Sequence, residues 1–111
     1  MSMRVVITEK SSGNVIADAR EAAVQKVEGN WYVDESAVDS SHLETTVHDY
    51  TCPYKGRCFY VDYVNGDKRV ARVAWIYDNP KDGWEHIKGK YGFYAGEAAD
   101  RIGKTVETIT D

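Results

Sequence analysis

The sequence predicts a mainly β protein: one compact domain of about seven short, mostly antiparallel strands, forming a sandwich or open barrel with one or two short helical turns. Three observations carry this expectation. Short β-branched and aromatic runs recur along the chain, broken by Gly, Pro, Asn, Asp and Ser at intervals of roughly 8–12 residues. Two of these runs flank Asn65-Gly66, the strongest short hairpin signal a sequence offers. Finally, 111 residues without an internal repeat, low-complexity tract or Pro/Ser-rich linker make one domain, long enough to bury roughly two-thirds of its unfolded surface.

The elements follow in order. Val5 to Thr8 is β-branched, the turn cluster Ser11-Ser12-Gly13-Asn14 reverses the chain, and Val15 to Asp18 returns as a hairpin. Ala19 to Val27 reads two ways: Ala, Glu and Gln favour a helix, while Ala22, Val24 and Lys26 alternate as in a strand, and neighbouring strands favour the second. Asn30 to Val33 is a strand anchored by Trp31 and Tyr32. Asp34 to Ser41 resembles a single capped turn with Asp34 or Ser36 at its start. Thr45 to Tyr50 is β-rich and leads into Thr51-Cys52-Pro53-Tyr54-Lys55-Gly56.

Arg57 to Val64 and Arg69 to Tyr77 form the central hairpin. In its second arm Arg69, Ala71, Val73, Trp75 and Tyr77 share one face, and Val70, Arg72, Ala74 and Ile76 the other. Asp78 to Gly83 is a loop, Trp84 to Ile87 a helical turn, and Lys90 to Tyr94 the final core strand. Residues 1–96 thus make the β-rich domain, and 97–111 a helical turn with a loose tail.

Composition narrows the function. A net charge of −4 argues against a nucleic-acid backbone binder, which needs clustered Lys and Arg. No run of about 18 apolar residues exists, so no membrane span is expected. Met1 to Ile7 shows no apolar leader and no small-residue cleavage site, which makes the expected address cytoplasmic. There Cys52 and Cys58 are expected as thiols. His48, Cys52 and Cys58 fit no zinc-knuckle spacing, so neither a metal nor a cofactor is expected. Eight Tyr and three Trp against two Phe favour rings with a polar handle, which suit a half-wet cleft better than a sealed core.

The run from Thr51 to Gly56 carries the most chemistry. Proline fixes φ and glycine permits positive φ, so it reads as a shaped turn presenting a thiol, a phenol and an ammonium. Lys55 and turn N–H groups would lower the Cys52 pKa, and a nucleophilic thiol would then need His48 or His86 as its base. The plainer role for Cys52 is packing beneath the turn. Lys55 beside Gly56 suits an anion, although no phosphate-loop motif surrounds it. As a mostly exposed lysine it should contribute about 0–1 kcal/mol to stability. Asp62, Asp67, Asp78 and Asp82 include no D-x-D pair for metal-dependent phosphoryl chemistry. His42, His48 and His86 are scattered, with surface or hydrogen-bonding roles. Tyr54, Tyr60, Trp75, Tyr77, Phe93 and Tyr94 can line one cleft, and with Arg57, Phe59 and Tyr63 on the same side it gains cationic ends.

Thr51 to Gly56, Ala74 to Pro80 (A-W-I-Y-D-N-P) and Ile87 to Tyr94 (I-K-G-K-Y-G-F-Y), in this order, resemble a small bacterial family, domain-of-unknown-function family 427, labelled nucleotidyltransferase-like. Val15 to Asp18 and Trp31 to Asp34 also fit its pattern, and the match runs from about Val5 to Tyr94. The resemblance implies a single small domain with a β-tent-like fold. The chain departs from the pattern at Asp34 and Glu35, where the family favours proline.

The leading expectation is a binding domain whose pocket at the Thr51–Gly56 turn takes a small anionic or aromatic molecule through Tyr54, Lys55, Arg57, Trp75, Tyr77 and Tyr94. A second is a small enzyme, as the family label implies, using Cys52 or Tyr54 with Lys55. A third is a protein-interaction domain or homodimer joined through an aromatic face.

Overall fold

The strand-forming runs assemble into two antiparallel sheets in the computed structural model, which describes residues 3–111. The first two residues of the Met1–Ile7 leader reading lie outside the described residues. β1 (Arg4–Glu9), β2 (Val15–Arg20) and β9 (Thr105–Thr110) form a three-stranded sheet in the order β2-β1-β9. β3 (Val24–Val27), β4 (Asn30–Val33), β5 (Leu43–Cys52), β6 (Gly56–Asn65), β7 (Lys68–Ile76) and β8 (Tyr91–Tyr94) form a six-stranded sheet in the order β3-β4-β8-β7-β6-β5. One short helix, α1 (Gly96–Arg101), and four single 3-10 turns complete a single, mainly β domain, as the sequence predicts.

The C-terminus departs from the sequence reading. Instead of a loose tail, β9 pairs with β1 from Arg4↔Thr110 to Glu9↔Thr105. Its residues Thr105, Val106, Thr108, Ile109 and Thr110 are β-branched, but an edge strand keeps polar side chains on its open face and so looks like tail in hydropathy. Glu107 secures it by accepting hydrogen bonds from the Trp31 indole N–H and the Gly96 backbone N–H. The ambiguous Ala19–Val27 segment divides into the end of β2, a 3-10 turn at Glu21–Ala23, and β3. Asp34–Ser41 holds two turns rather than one. Asp39 caps the second through Ser41, while Asp34 pairs with Lys90 at 2.8 Å.

The central hairpin forms, with its loop one residue later than expected. Asn65 pairs with Lys68, so Gly66-Asp67 makes the turn, and only Gly66 has a positive φ, the pattern of a type II′ turn. Farther along, Val61 pairs with Ala74 and Tyr63 with Val70, which leaves Asp62 opposite three residues. Arg72 takes φ 60° in this bulge, its N–H held at 3.1 Å by the buried Asp62 carboxylate, which also binds Arg69 at 2.8 Å. The expected alternation therefore fails at Val73, which packs in the core between the sheets rather than beside Trp75.

The six-stranded sheet buries both faces. One closes against β1 and β2 through Val5, Ile7, Ile16, Val33, Val61, Tyr63 and Phe93. The other gathers Tyr32, Cys52, Cys58, Trp75 and Tyr77, with Ile87 from the connection between β7 and β8 packed over them. On this second face Trp75 stands opposite Gly92. A Cβ on Gly92 would lie 2.2 Å from the Trp75 indole nitrogen, so the indole lies flat across β8 only because that position is glycine. Gly92→Ala should destabilise the domain by about 1–3 kcal/mol through overpacking, and Trp75→Ala by about 3–5 kcal/mol. Denaturant unfolding checks both, and an unchanged midpoint for Gly92→Ala would show that the indole does not sit there.

Candidate functional site

The second face of the six-stranded sheet carries a cleft of about 190 Å³. Asn30 and Tyr32 come from β4, Tyr50 from β5, Cys58 and Tyr60 from β6, Trp75 and Tyr77 from β7 and its end, and Tyr94 from β8, with Lys55 entering from the turn between β5 and β6. Alternation places them together: cross-strand partners share a face, and Tyr50↔Cys58, Tyr60↔Trp75 and Asn30↔Tyr94 are partners.

Trp75 organises the rings. Its indole N–H donates to the Tyr32 hydroxyl at 3.1 Å, a bond buried from solvent. The Tyr94 ring meets it edge-on at 4.9 Å between centroids, and the Tyr32 ring at 6.3 Å. Burial pushes the phenol pKa values of Tyr32, Tyr60 and Tyr77 up, and the neighbouring Cys58 and Tyr32 push Tyr77 further. These phenols stay neutral at ordinary pH, offering O–H donors and ring faces rather than bases.

Lys55 is not the exposed cation that the sequence suggests: its side chain is only 12% exposed. The ammonium sits 3.1 Å from Glu28 and 5.0 Å above the Trp84 ring. Burial pulls its pKa down, but Glu28, Tyr32 and Cys52 together more than offset that, so the net shift is upward and the group stays charged. Glu28 reaches it from the tight Glu28-Gly29 turn between β3 and β4, where both residues have positive φ. The backbone around Lys55 is also fixed: its carbonyl accepts from Lys81 N at 2.8 Å, and the Lys81 ammonium donates to the Pro53 carbonyl at 2.9 Å. Gly56 takes φ 103°, a backbone conformation that side-chain-bearing residues rarely adopt, and this conformation, rather than lack of space beside Lys81, is what calls for glycine there.

Of the residues expected at the site, Lys55, Trp75, Tyr77 and Tyr94 meet in the cleft, and Tyr60 with them. Tyr54 is 75% exposed and does not line it. Arg57 lies on the opposite sheet face, over the Phe59 ring at 4.7 Å and 3.7 Å from Asp49. Tyr63 and Phe93 belong to the core between the sheets. The reason is parity: Trp75 shares its face with Cys58 and Tyr60, not with Arg57, Phe59 or Tyr63. Asn30, Tyr32, Tyr50 and Cys58 were not anticipated in the lining. The available signal was alternation, which sets Tyr32 opposite in direction to Trp31 and Val33.

The two thiols, both buried and free, differ in environment. Burial raises the Cys52 pKa, but the Lys55 and Tyr54 backbone N–H groups and the Lys55 ammonium outweigh it and leave the thiol below its usual value. Cys58 is pushed up by burial, despite a hydrogen bond with the Tyr77 hydroxyl. Neither histidine proposed as base adjoins Cys52 through a hydrogen bond among the described residues: His86 stacks on Trp84 at 5.8 Å, and His48 lies exposed on β5. Among the described residues no three His, Cys, Asp or Glu side chains converge to hold a metal ion. Among the described residues no helix is long and apolar enough to cross a membrane.

Fold and cleft together define a class: a small β domain with a tyrosine-lined hollow on the outer face of its larger sheet. The chain belongs to the family described as Domain of unknown function (DUF427), whose model matches residues 2–106. That match extends past the Tyr94 motif, through α1 and into β9. No curated protein matches the chain. The family's nucleotidyltransferase label finds no carboxylate in the cleft lining on which to place metal-assisted phosphoryl transfer.

Replacing Lys55 by Met should cost about 1 kcal/mol, because it removes a partly buried charge pair while leaving Glu28 in water; a thermal or chemical melt reads it, and no change would mean the Glu28 contact is absent in solution. Site-resolved thiol alkylation should show Cys52 reaching its half-maximal rate at lower pH than Cys58. The reverse order would contradict the assignment of turn N–H groups to the Cys52 sulfur.

Proposed function

We propose that the domain binds a small planar ligand in the Trp75 cleft, with one ring held among Trp75, Tyr94 and Tyr60 and its polar edge met by tyrosine hydroxyls. The observation that carries this reading is the cleft itself: five tyrosines and a tryptophan around one hollow, with the Tyr32, Tyr60 and Tyr77 phenols held neutral by burial and Trp75 already oriented by Tyr32. A sealed core would favour phenylalanine, whereas concave sites pair apolar walls with a few placed polar groups. At about 190 Å³ the hollow suits a single ring rather than a nucleoside triphosphate.

Lys55 has a supporting part in this reading. Its charge is matched by Glu28, so it stiffens the rim and polarises the Tyr32 side of the cleft. Cys52 carries a second reading, an activated thiol on the turn, favoured by its lowered pKa and its backbone N–H donors. It ranks below the first because the cleft lining contains Cys58 rather than Cys52.

A thermal-shift panel of small ring compounds and aliphatic counterparts tests the leading reading. A ring compound at about 100 times its dissociation constant should add about 2.7 kcal/mol and raise the midpoint by several degrees. The shift should be lost in Tyr94→Ala. Aliphatic and ring compounds acting alike, or no shift from either, would contradict ring binding.

A further inference from the structure

We infer that the cleft continues into a second binding subsite, which takes a doubly charged oxyanion (a phosphate monoester is the simplest) on Arg72 and Lys104. This inference rests on the ring-binding reading and assigns the part of the ligand beyond the ring.

Tyr60, Trp75 and Tyr94 line not only the first hollow but also an adjoining one of about 290 Å³, completed by Ala71, Arg72, Ile102 and Lys104. The three rings are therefore a shared partition, and the two hollows are halves of one groove. Together they reach the lower part of the range of roughly 300–1,000 Å³ in which small-molecule sites fall.

The halves differ in charge. In the first, the Lys55 ammonium already has Glu28 as its counter-ion. In the second, neither Arg72 nor Lys104 has a carboxylate partner among the described residues, although the chain as a whole carries a net charge of −4. Arg72 is also held in place. It occupies a left-handed backbone conformation at φ 60° that glycine would take without strain, and the buried Asp62 fixes its N–H. From that bulge its guanidinium lies 4.7 Å over the Tyr60 ring, on the partition between the hollows. Lys104 follows α1, where its carbonyl accepts from Lys10 N at 3.0 Å. Two unmatched cations facing one hollow fit two negative charges, and a guanidinium fits two oxygens of one anion.

The test compares phenol with phenyl phosphate on the full chain, as wild type and as Arg72→Gly with Lys104→Gln. Glycine keeps the left-handed backbone, so the double variant should melt at or above the wild-type temperature. Wild type should bind phenyl phosphate about tenfold or more tighter than phenol. The double variant should lose that advantage and keep its phenol affinity. If phenol binds but phenyl phosphate binds no tighter, or if its advantage survives in the double variant, the oxyanion subsite is overturned and the ring cleft stands. If neither compound binds, both fall.

Discussion

The cleft depends on one close approach: the Trp75 indole laid across Gly92 of the neighbouring strand. With no Cβ at that position, the ring can lie against the sheet and send its N–H to the Tyr32 hydroxyl. Tyr94 then finds the indole edge at 4.9 Å, and Tyr60 stands beside it as the cross-strand partner. Any side chain at residue 92 would lift the indole and break this arrangement at its centre. A single missing methyl group thus sets ring geometry on β4, β6, β7 and β8.

The six-stranded sheet divides its labour between its faces. The face toward β1 and β2 is largely aliphatic, with Trp31, Tyr63 and Phe93, and makes the core that holds the domain together. The face toward Trp75 is rich in tyrosine and partly open. Charge is distributed with the same economy. Lys55 is neutralised locally by Glu28, the Asp62 carboxylate is spent on Arg69 and the Arg72 backbone, and the guanidinium of Arg72 remains available above Tyr60.

Much of this was legible in the sequence, for identifiable reasons. β-branched runs between strong turn residues gave the mainly β fold, and Asn65-Gly66 located the hairpin to within one residue. A two-residue hairpin loop pairs residues whose numbers sum to an odd value, so Trp75 had to share a face with Cys58 and Tyr60. That rule alone removes Arg57, Phe59 and Tyr63 from the cleft. Other features had no local signal. The bulge at Arg72 exists because Asp62, ten residues away, holds its N–H. Lys55 is partly buried because Glu28 and Trp84 reach it from distant segments. β9 was hidden because an edge strand anchored by Glu107 has little need of apolar side chains on its open face.

The most direct measurement is the indole N–H spectrum of the ¹⁵N-labelled protein during a phenol titration. Three tryptophans give three resonances, and Trp31, bonded to Glu107 in the opposite core, serves as an internal reference. The account predicts that the Trp75 resonance moves saturably while Trp31 stays in place. A Trp75 resonance that stays fixed while phenol is raised to saturating concentrations would contradict a ring-binding cleft built on that residue.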